Sequence, residues 1–139
     1  MSLYLFDTDS ISLYQSGNVL ILRNIMRHLS DTLAVSVITV EEQLLGWQSA
    51  LRQARDDLRR EGAYARMAGT VRNLAGWQVF AYPVSAMNRH TAFTRLRLNV
   101  GSNDLKIAAI ALEFGATIIP RNLRDFRRIP GAIAEDWVV

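Results

Sequence analysis

The chain has 139 residues, half of them hydrophobic, but no apolar run approaches the roughly 20 residues that a membrane-spanning helix requires. It has no cysteine, which excludes disulfide and zinc–thiolate schemes, and no signal-peptide pattern. The net charge is +3, and all 16 basic residues except Lys106 are arginine, which favours anionic partners, although a GC-rich genome would give the same excess. We therefore expect a single domain over residues 1–139, without membrane association and located in the cytoplasm.

The first predicted element is a strand over Leu3–Phe6, an apolar run typical of strands buried on both faces of a parallel sheet. Asp7 follows directly, so we expect it at the carboxyl end of that strand. Asp9, Ser10 or Asn18 can each cap the helical segment that comes next. The apolar face of this segment is expected to contain Leu20, Ile21, Asn24, Ile25 and Leu29.

A second strand is predicted over residues 33–38. Thr39 to Glu42 then have the S/T-x-x-E spacing of a capping box, which is a purely structural explanation for Glu42 in the first turn of a helix. The helical region continues to about Leu74, with a break predicted near Glu61 and Gly62. Its scattered arginines are expected to lie mostly on a solvated face.

Residues 77–84 are predicted to form a third strand, and residues 85–97 a further helix. The next helix is expected to begin at an N-cap Ser102 and to end at Gly115, burying Ile107, Ile110, Ala111 and Phe114. A fourth strand at 117–119 precedes a polar loop or short helix at 122–128 and a final edge strand at 136–139. Alternating strands and helices predict an α/β domain with a mostly parallel sheet.

Four acidic residues follow the predicted strands or begin the predicted helices: Asp7, Glu42, Asp104 and Asp125. In such a sheet these positions lie at one edge, where α/β proteins place their sites. Clustered carboxylates repel one another unless a cation neutralises them, and oxygen ligands favour Mg²⁺ or Mn²⁺. Asp104 has an alternative explanation, because an acid in the first turn also complements the helix dipole.

Four segments resemble the motifs of PIN-domain ribonucleases, and in particular of VapC toxins from type II toxin–antitoxin modules. The resemblance covers nearly the whole chain and is based on Leu5-Phe6-Asp7-Thr8-Asp9, on Thr39-Val40-Glu41-Glu42 with Gly46, on Gly101-Ser102-Asn103-Asp104-Leu105-Lys106, and on Arg121-Asn122-Leu123-Arg124-Asp125-Phe126. Position 120 departs from the family pattern, because it is proline where the family usually has threonine or serine.

The resemblance implies a three-layer α/β/α sandwich and Mg²⁺- or Mn²⁺-dependent cleavage of RNA phosphodiesters at a catalytic, metal-binding set of Asp7, Glu42, Asp104 and Asp125. Glu41 is the alternative to Glu42, but the spacing to Gly46 favours Glu42. It also implies inhibition by a cognate antitoxin, and we expect a homodimer or a toxin–antitoxin hetero-oligomer. We further expect Arg121 and Arg124 to bind the RNA backbone near the phosphate that is cleaved. Thr8 and Asn122 are expected to contact the metal-binding carboxylates and hold them in place.

Two other functions are compatible with the sequence. Phe6-Asp7-Thr8-Asp9 also resembles the D-x-D opening of haloacid-dehalogenase-type phosphatases, in which the first aspartate is a nucleophile. That family needs a later lysine and an acidic pair, for which the chain offers only Lys106 and Asp56-Asp57. The second alternative is a PIN-like module that binds RNA or a protein without cleaving it.

Overall fold

The computed structural model describes residues 1–138. Within these residues there are four strands and seven helices, in the chain order β1 (Leu3–Phe6), α1 (Thr8–Gln15), α2 (Val19–Arg27), β2 (Thr32–Ser36), α3 (Val37–Gln53), α4 (Asp57–Leu74), β3 (Gln78–Phe80), α5 (Val84–Arg95), α6 (Ser102–Phe114), β4 (Thr117–Ile119) and α7 (Leu123–Phe126). No helix in this part of the chain is long and apolar enough to cross a bilayer.

The four strands form one parallel sheet in the order β3-β2-β1-β4. β1 is central, and Leu5 pairs with Ala34 on one side and with Ile118 on the other. These three residues belong to a core that includes side chains of α5 and α6. Phe6 and its neighbours on the opposite face pack with α1, α2 and Trp137. The sheet is therefore covered on both faces, which confirms the predicted α/β/α sandwich.

α6 packs against the sheet through the predicted apolar face. Ile107, Ile110 and Ala111 are buried, whereas Phe114 is 43% exposed and stacks on Phe80 with ring centroids 4.6 Å apart. Gly115 ends the helix as predicted, with a positive φ of 68° that a side chain would disfavour.

The predicted N-cap of α6 was wrong. Ser102 is already helical, and Gly101 occupies the cap position without a side-chain hydrogen bond. Ser102 Oγ instead lies 3.1 Å from His90 Nε2, so the hydroxyl joins α5 to α6.

The capping box predicted at Thr39 and Glu42 is also wrong. β2 ends at Ser36, whose side chain caps α3 by accepting from the Thr39 N–H at 3.4 Å. Residues 37 and 38 are therefore helical, and Glu42 lies in the second turn of α3. The capping explanation for Glu42 consequently fails.

The break in the long helical region lies at residues 54–56, not near Glu61 and Gly62. Asp56 caps α4 by accepting from the Arg59 N–H at 2.8 Å, and Gly62 lies inside that helix. The cap stabilises a helix start by about 1 kcal/mol, which offsets the comparable cost of one interior glycine. The end of α4 at Leu74 agrees with the prediction.

Other element boundaries differ from the prediction. α1 is capped by Asp7, not by Asp9 or Ser10, while Asn18 caps α2 as predicted. Leu29 is 69% exposed because α2 ends before it. β3 has three residues, and Pro83 lies at the N-cap of α5.

The chain end does not form the predicted edge strand over the described positions 136–138. Ala134 instead makes an isolated parallel bridge with Ile118, beyond β4 in the sheet. Trp137 turns into the core against Phe6 and Tyr4, and this burial competes with continued strand pairing. Position 139 of the predicted strand lies outside the described residues.

Candidate active site

Asp7 lies at the carboxyl end of β1 and is only 5% exposed. One carboxylate oxygen accepts from the Ser10 N–H at 2.8 Å, which makes Asp7 the cap of α1. The other accepts from the Arg121 N–H at 3.2 Å, beyond β4. Burial raises the pKa of Asp7 above its ordinary value, the two backbone donors oppose this change, and Asp9 adds to it.

Glu42 reaches the same edge from α3 and is positioned by Thr8. The Thr8 hydroxyl donates to Glu42 Oε1 at 2.5 Å and also lies 3.0 Å from the Thr39 hydroxyl. Glu42 is half-buried and lines the cleft described next, whereas Glu41 is exposed and does not. The structure thus places the predicted supporting residue Thr8 against Glu42.

A cleft of about 460 Å³ collects three of the four predicted acids: Asp7, Glu42 and Asp104. Asp104 enters it from the first turn of α6. Burial and the negative charges of Asp7, Glu42, Asp9 and Asp125 raise the pKa of Asp104 to about 6. This electrostatic repulsion means that the carboxylates lie close enough together to oppose one another's ionisation.

Asp125 lies farther from this set and does not line the cleft. It accepts from Asn122 Nδ2 at 3.0 Å and lies 3.6 Å from Arg128 Nη1. The side chains of Arg121 and Arg124 are exposed and also lie outside the cleft lining. Asn122 therefore contacts Asp125. Arg121 contacts the cleft acid Asp7 only through its backbone N–H.

Asp9 is a cleft residue that the sequence did not predict as part of the acidic site. It is exposed, lines the same cleft as Asp104, and contributes to the raised pKa of that residue. The available signal was its spacing, because a residue two positions after the cap Asp7 lies in the first helical turn at the same sheet edge.

The chemistry of the donors fits Mg²⁺ or Mn²⁺, because the cleft presents carboxylate oxygens that repel one another. Among residues 1–138, however, no three acidic, histidine or cysteine side chains are arranged to hold a metal ion as they stand. Completing a coordination shell would therefore require side-chain rotation, and Glu42 could take part while keeping Oε1 hydrogen-bonded to Thr8.

The phosphatase alternative finds little support at this edge. Asp56 and Asp57, the acidic pair it would need, form ion pairs with Arg59 and Arg60 at the start of α4. Neither aspartate lines the acidic cleft, and Lys106 does not line it either.

Comparison with known proteins agrees with the observed fold. No protein-family model matches the chain. The tRNA(fMet)-specific endonuclease VapC of Salmonella typhimurium is 31% identical over 113 residues, which cover 78% of this chain and 77% of that protein. Ribonuclease VapC2 of Rickettsia felis is 45% identical over 40 residues, which cover 29% of this chain and 30% of that protein. Among solved structures, DNA-bound VapBC from Salmonella typhimurium has a TM-score of 0.75 at 25% identity, with 99% of each chain covered.

Proposed function

The chain belongs to the VapC family of PIN-domain ribonuclease toxins, and from this we propose that it hydrolyses RNA phosphodiester bonds at the cleft formed by Asp7, Glu42 and Asp104. The observation that carries the proposal is the convergence of these acids at one sheet edge, where burial and the repulsion between the acids raise the pKa of Asp104 to about 6. A cluster with this cost to the fold is characteristic of a functional site.

We assign the binding of Mg²⁺ or Mn²⁺ to Asp7, Glu42 and Asp104, with Asp125 supporting them from the rim. A bound divalent ion would activate water and stabilise negative charge on the phosphate. The chain positions the carboxylates: backbone N–H groups fix Asp7, and the Thr8 hydroxyl fixes Glu42. The exposed guanidinium groups of Arg121 and Arg124 are expected to attract the RNA backbone toward this edge.

The test is cleavage of total RNA by wild type and by Asp104→Asn, with Mg²⁺ or Mn²⁺ and with EDTA. We expect wild type to cleave only with metal and Asp104→Asn to lose cleavage in all conditions, because a charged ligand is removed without changing side-chain size. Asp57→Asn is a matched control, since it removes an acid from the first turn of α4, outside the cleft.

Two results would contradict the mechanism. Cleavage by Asp104→Asn at the wild-type rate would show that Asp104 is not needed for the reaction, contrary to the proposed mechanism. Binding of RNA by wild type without cleavage in the presence of Mn²⁺ would instead favour the non-catalytic binding module. The absence of a preformed metal cluster among residues 1–138 is also compatible with that alternative.

We also propose a cognate antitoxin as partner, since the solved relatives include VapBC toxin–antitoxin complexes. An antitoxin segment with an arginine would complement the acidic cleft by charge-assisted hydrogen bonds. Expression of wild type alone should arrest growth, while expression of Asp104→Asn, or co-expression of wild type with its cognate antitoxin, should not. Unaffected growth at high expression of intact wild type would count against a toxin. The expected oligomeric state and cytoplasmic location stay predictions.

A further inference from the structure

A second cavity, of about 720 Å³, opens beside the acidic cleft between α1, α3 and α4. Thr8 and Glu42 line both, so the two cavities adjoin at the carboxylate edge. The lining of the second cavity differs in character, because it contains no acid other than Glu42 and is formed by aromatic, amide, hydroxyl and arginine side chains.

Trp47 of α3 and Arg66 of α4 both line this cavity. The indole Nε1 donates to the Thr70 hydroxyl at 2.8 Å, which fixes the ring, and the Arg66 guanidinium lies over the ring at 6.0 Å from its centroid. Arg66 is exposed, and among residues 1–138 it has no ion pair with an acid. Its charge is thus available to an anionic ligand.

Two helix-interior glycines line the same cavity, Gly46 in α3 and Gly69 in α4. A Cβ atom at either position would meet no atom within 4 Å, so packing does not require glycine there. Alanine would stabilise both helices. The missing side chains instead widen the cavity, next to the amide groups of Gln15, Gln43 and Asn73.

We propose that this cavity binds an unpaired RNA nucleotide beside the scissile phosphate, with its base against Trp47 and a phosphate at Arg66; the proposal rests on the ribonuclease function proposed above. Aromatic rings, arginine and amide groups recognise splayed-out bases in single-stranded RNA. An RNA chain whose phosphate lies at the carboxylates must continue beyond the cleft. The second cavity lies beside the cleft at Thr8 and Glu42, where the next nucleotide can enter it.

The first test measures binding of a fluorescein-labelled, mixed-sequence RNA decamer by anisotropy, in the Asp104→Asn background so that the probe is not cut. Arg66→Gln should weaken binding about tenfold, because a charge-assisted contact is lost. It should also reduce the slope of log affinity against log salt by about 0.7, the value for one phosphate contact to a single strand. Arg72→Gln, also exposed on α4 but outside the cavity, is the control and should change neither quantity as much.

The second test fills the cavity without harming the helix. Gly69→Ala and Gly69→Leu should both raise the melting temperature, but only leucine extends far into the cavity. RNA affinity should therefore fall slightly for alanine and by about tenfold or more for leucine. Melting temperatures at or above that of wild type would show that a loss of binding is not due to unfolding. In the cleaving enzyme, Gly69→Leu and Arg66→Gln should raise KM with kcat little changed.

Unchanged decamer affinity in both Arg66→Gln and Gly69→Leu would overturn the proposal. If the same variants weakened only the binding of the co-expressed antitoxin, the cavity would be a protein-docking site and the proposal would again be wrong. These results are separable from failure of the proposed function, which would appear as a wild type that cleaves no RNA with Mg²⁺ or Mn²⁺.

Discussion

Asp104→Asn should stabilise the metal-free protein, since the charge of Asp104 is unfavourable in the folded cleft. Burial and the neighbouring acids raise its pKa from 3.8 to about 6. Two pKa units correspond to about 3 kcal/mol in the free energy of unfolding. Because Asp104 is only half-buried, solvent screening reduces this to about 1.5 kcal/mol.

The helix dipole acts in the opposite direction. A carboxylate in the first turn of α6 gains about 0.3 to 1 kcal/mol from the helix start, and asparagine loses that gain. The net stabilisation expected for Asp104→Asn is therefore about 1 kcal/mol at neutral pH. For a chain of 139 residues this raises the melting temperature by about 3 to 4 °C.

The contribution of Asp104 to the free energy of unfolding should depend on pH. Because the pKa of Asp104 is raised in the folded state, the folded state binds more protons than the unfolded state. Protonation of Asp104 therefore stabilises the fold fully below pH 3.8, and this stabilisation is lost as pH rises through about 6. Melting curves in EDTA should thus show wild-type stability falling across this window more steeply than that of Asp104→Asn. Asp57→Asn, which removes only a first-turn charge and its ion pair with Arg60, should melt slightly below wild type at neutral pH.

Addition of Mn²⁺ should stabilise wild type by about 2.7 kcal/mol at a hundredfold excess over Kd, and Asp104→Asn by much less. The reasoning would be refuted if Asp104→Asn melted below wild type in EDTA while wild type did not respond to Mn²⁺. Asp104 would then be a helix-start residue without a metal-related role.

Three further substitutions test individual contacts. Asp7→Asn should raise the melting temperature in EDTA by less than Asp104→Asn does, because relief of the buried charge is partly offset by an amide donor turned toward the N–H of either Ser10 or Arg121; a melting curve above that of Asp104→Asn would contradict this. Thr8→Val should reduce RNA cleavage at least severalfold with little loss of stability, because Glu42 loses its hydroxyl donor, and wild-type kcat would exclude a positioning role. Ser36→Ala should cost about 1 kcal/mol in urea unfolding by removing the α3 cap, and no loss would return the capping role to Thr39.

The sequence predicted two of the four strands well, because burial on both faces leaves a short apolar run that ends abruptly. β1 and β4 agree with their predicted bounds. β2 does not, because Val37 and Ile38 are β-branched and favour a strand locally, whereas Ser36 caps a helix there. Ile38 still becomes buried, but as a helical residue. The choice depends on where tertiary packing ends the strand.

The position of the site followed from topology, while its contacts did not. Parallel strands and the helices after them place Asp7, Glu42 and Asp104 at one edge whichever exact residue begins each helix. Which of these side chains contact one another then depends on their rotamers, and the spacing of residues in the sequence carries no information about rotamers. Asp125 accordingly contacts Asn122 and Arg128 in place of the cleft.

Asp7 shows how the fold holds an acid where its charge is unfavourable. Two backbone N–H groups, from Ser10 and Arg121, bind its carboxylate and favour ionisation, yet its pKa is still raised, so burial outweighs both. The position of this carboxylate therefore depends on main chain at α1 and after β4. Pro120 is buried directly before Arg121 and restricts the backbone that presents this N–H. A backbone donor at 121 thus supports Asp7 although position 120 provides no hydroxyl, which makes the proline compatible with an ordered acidic site.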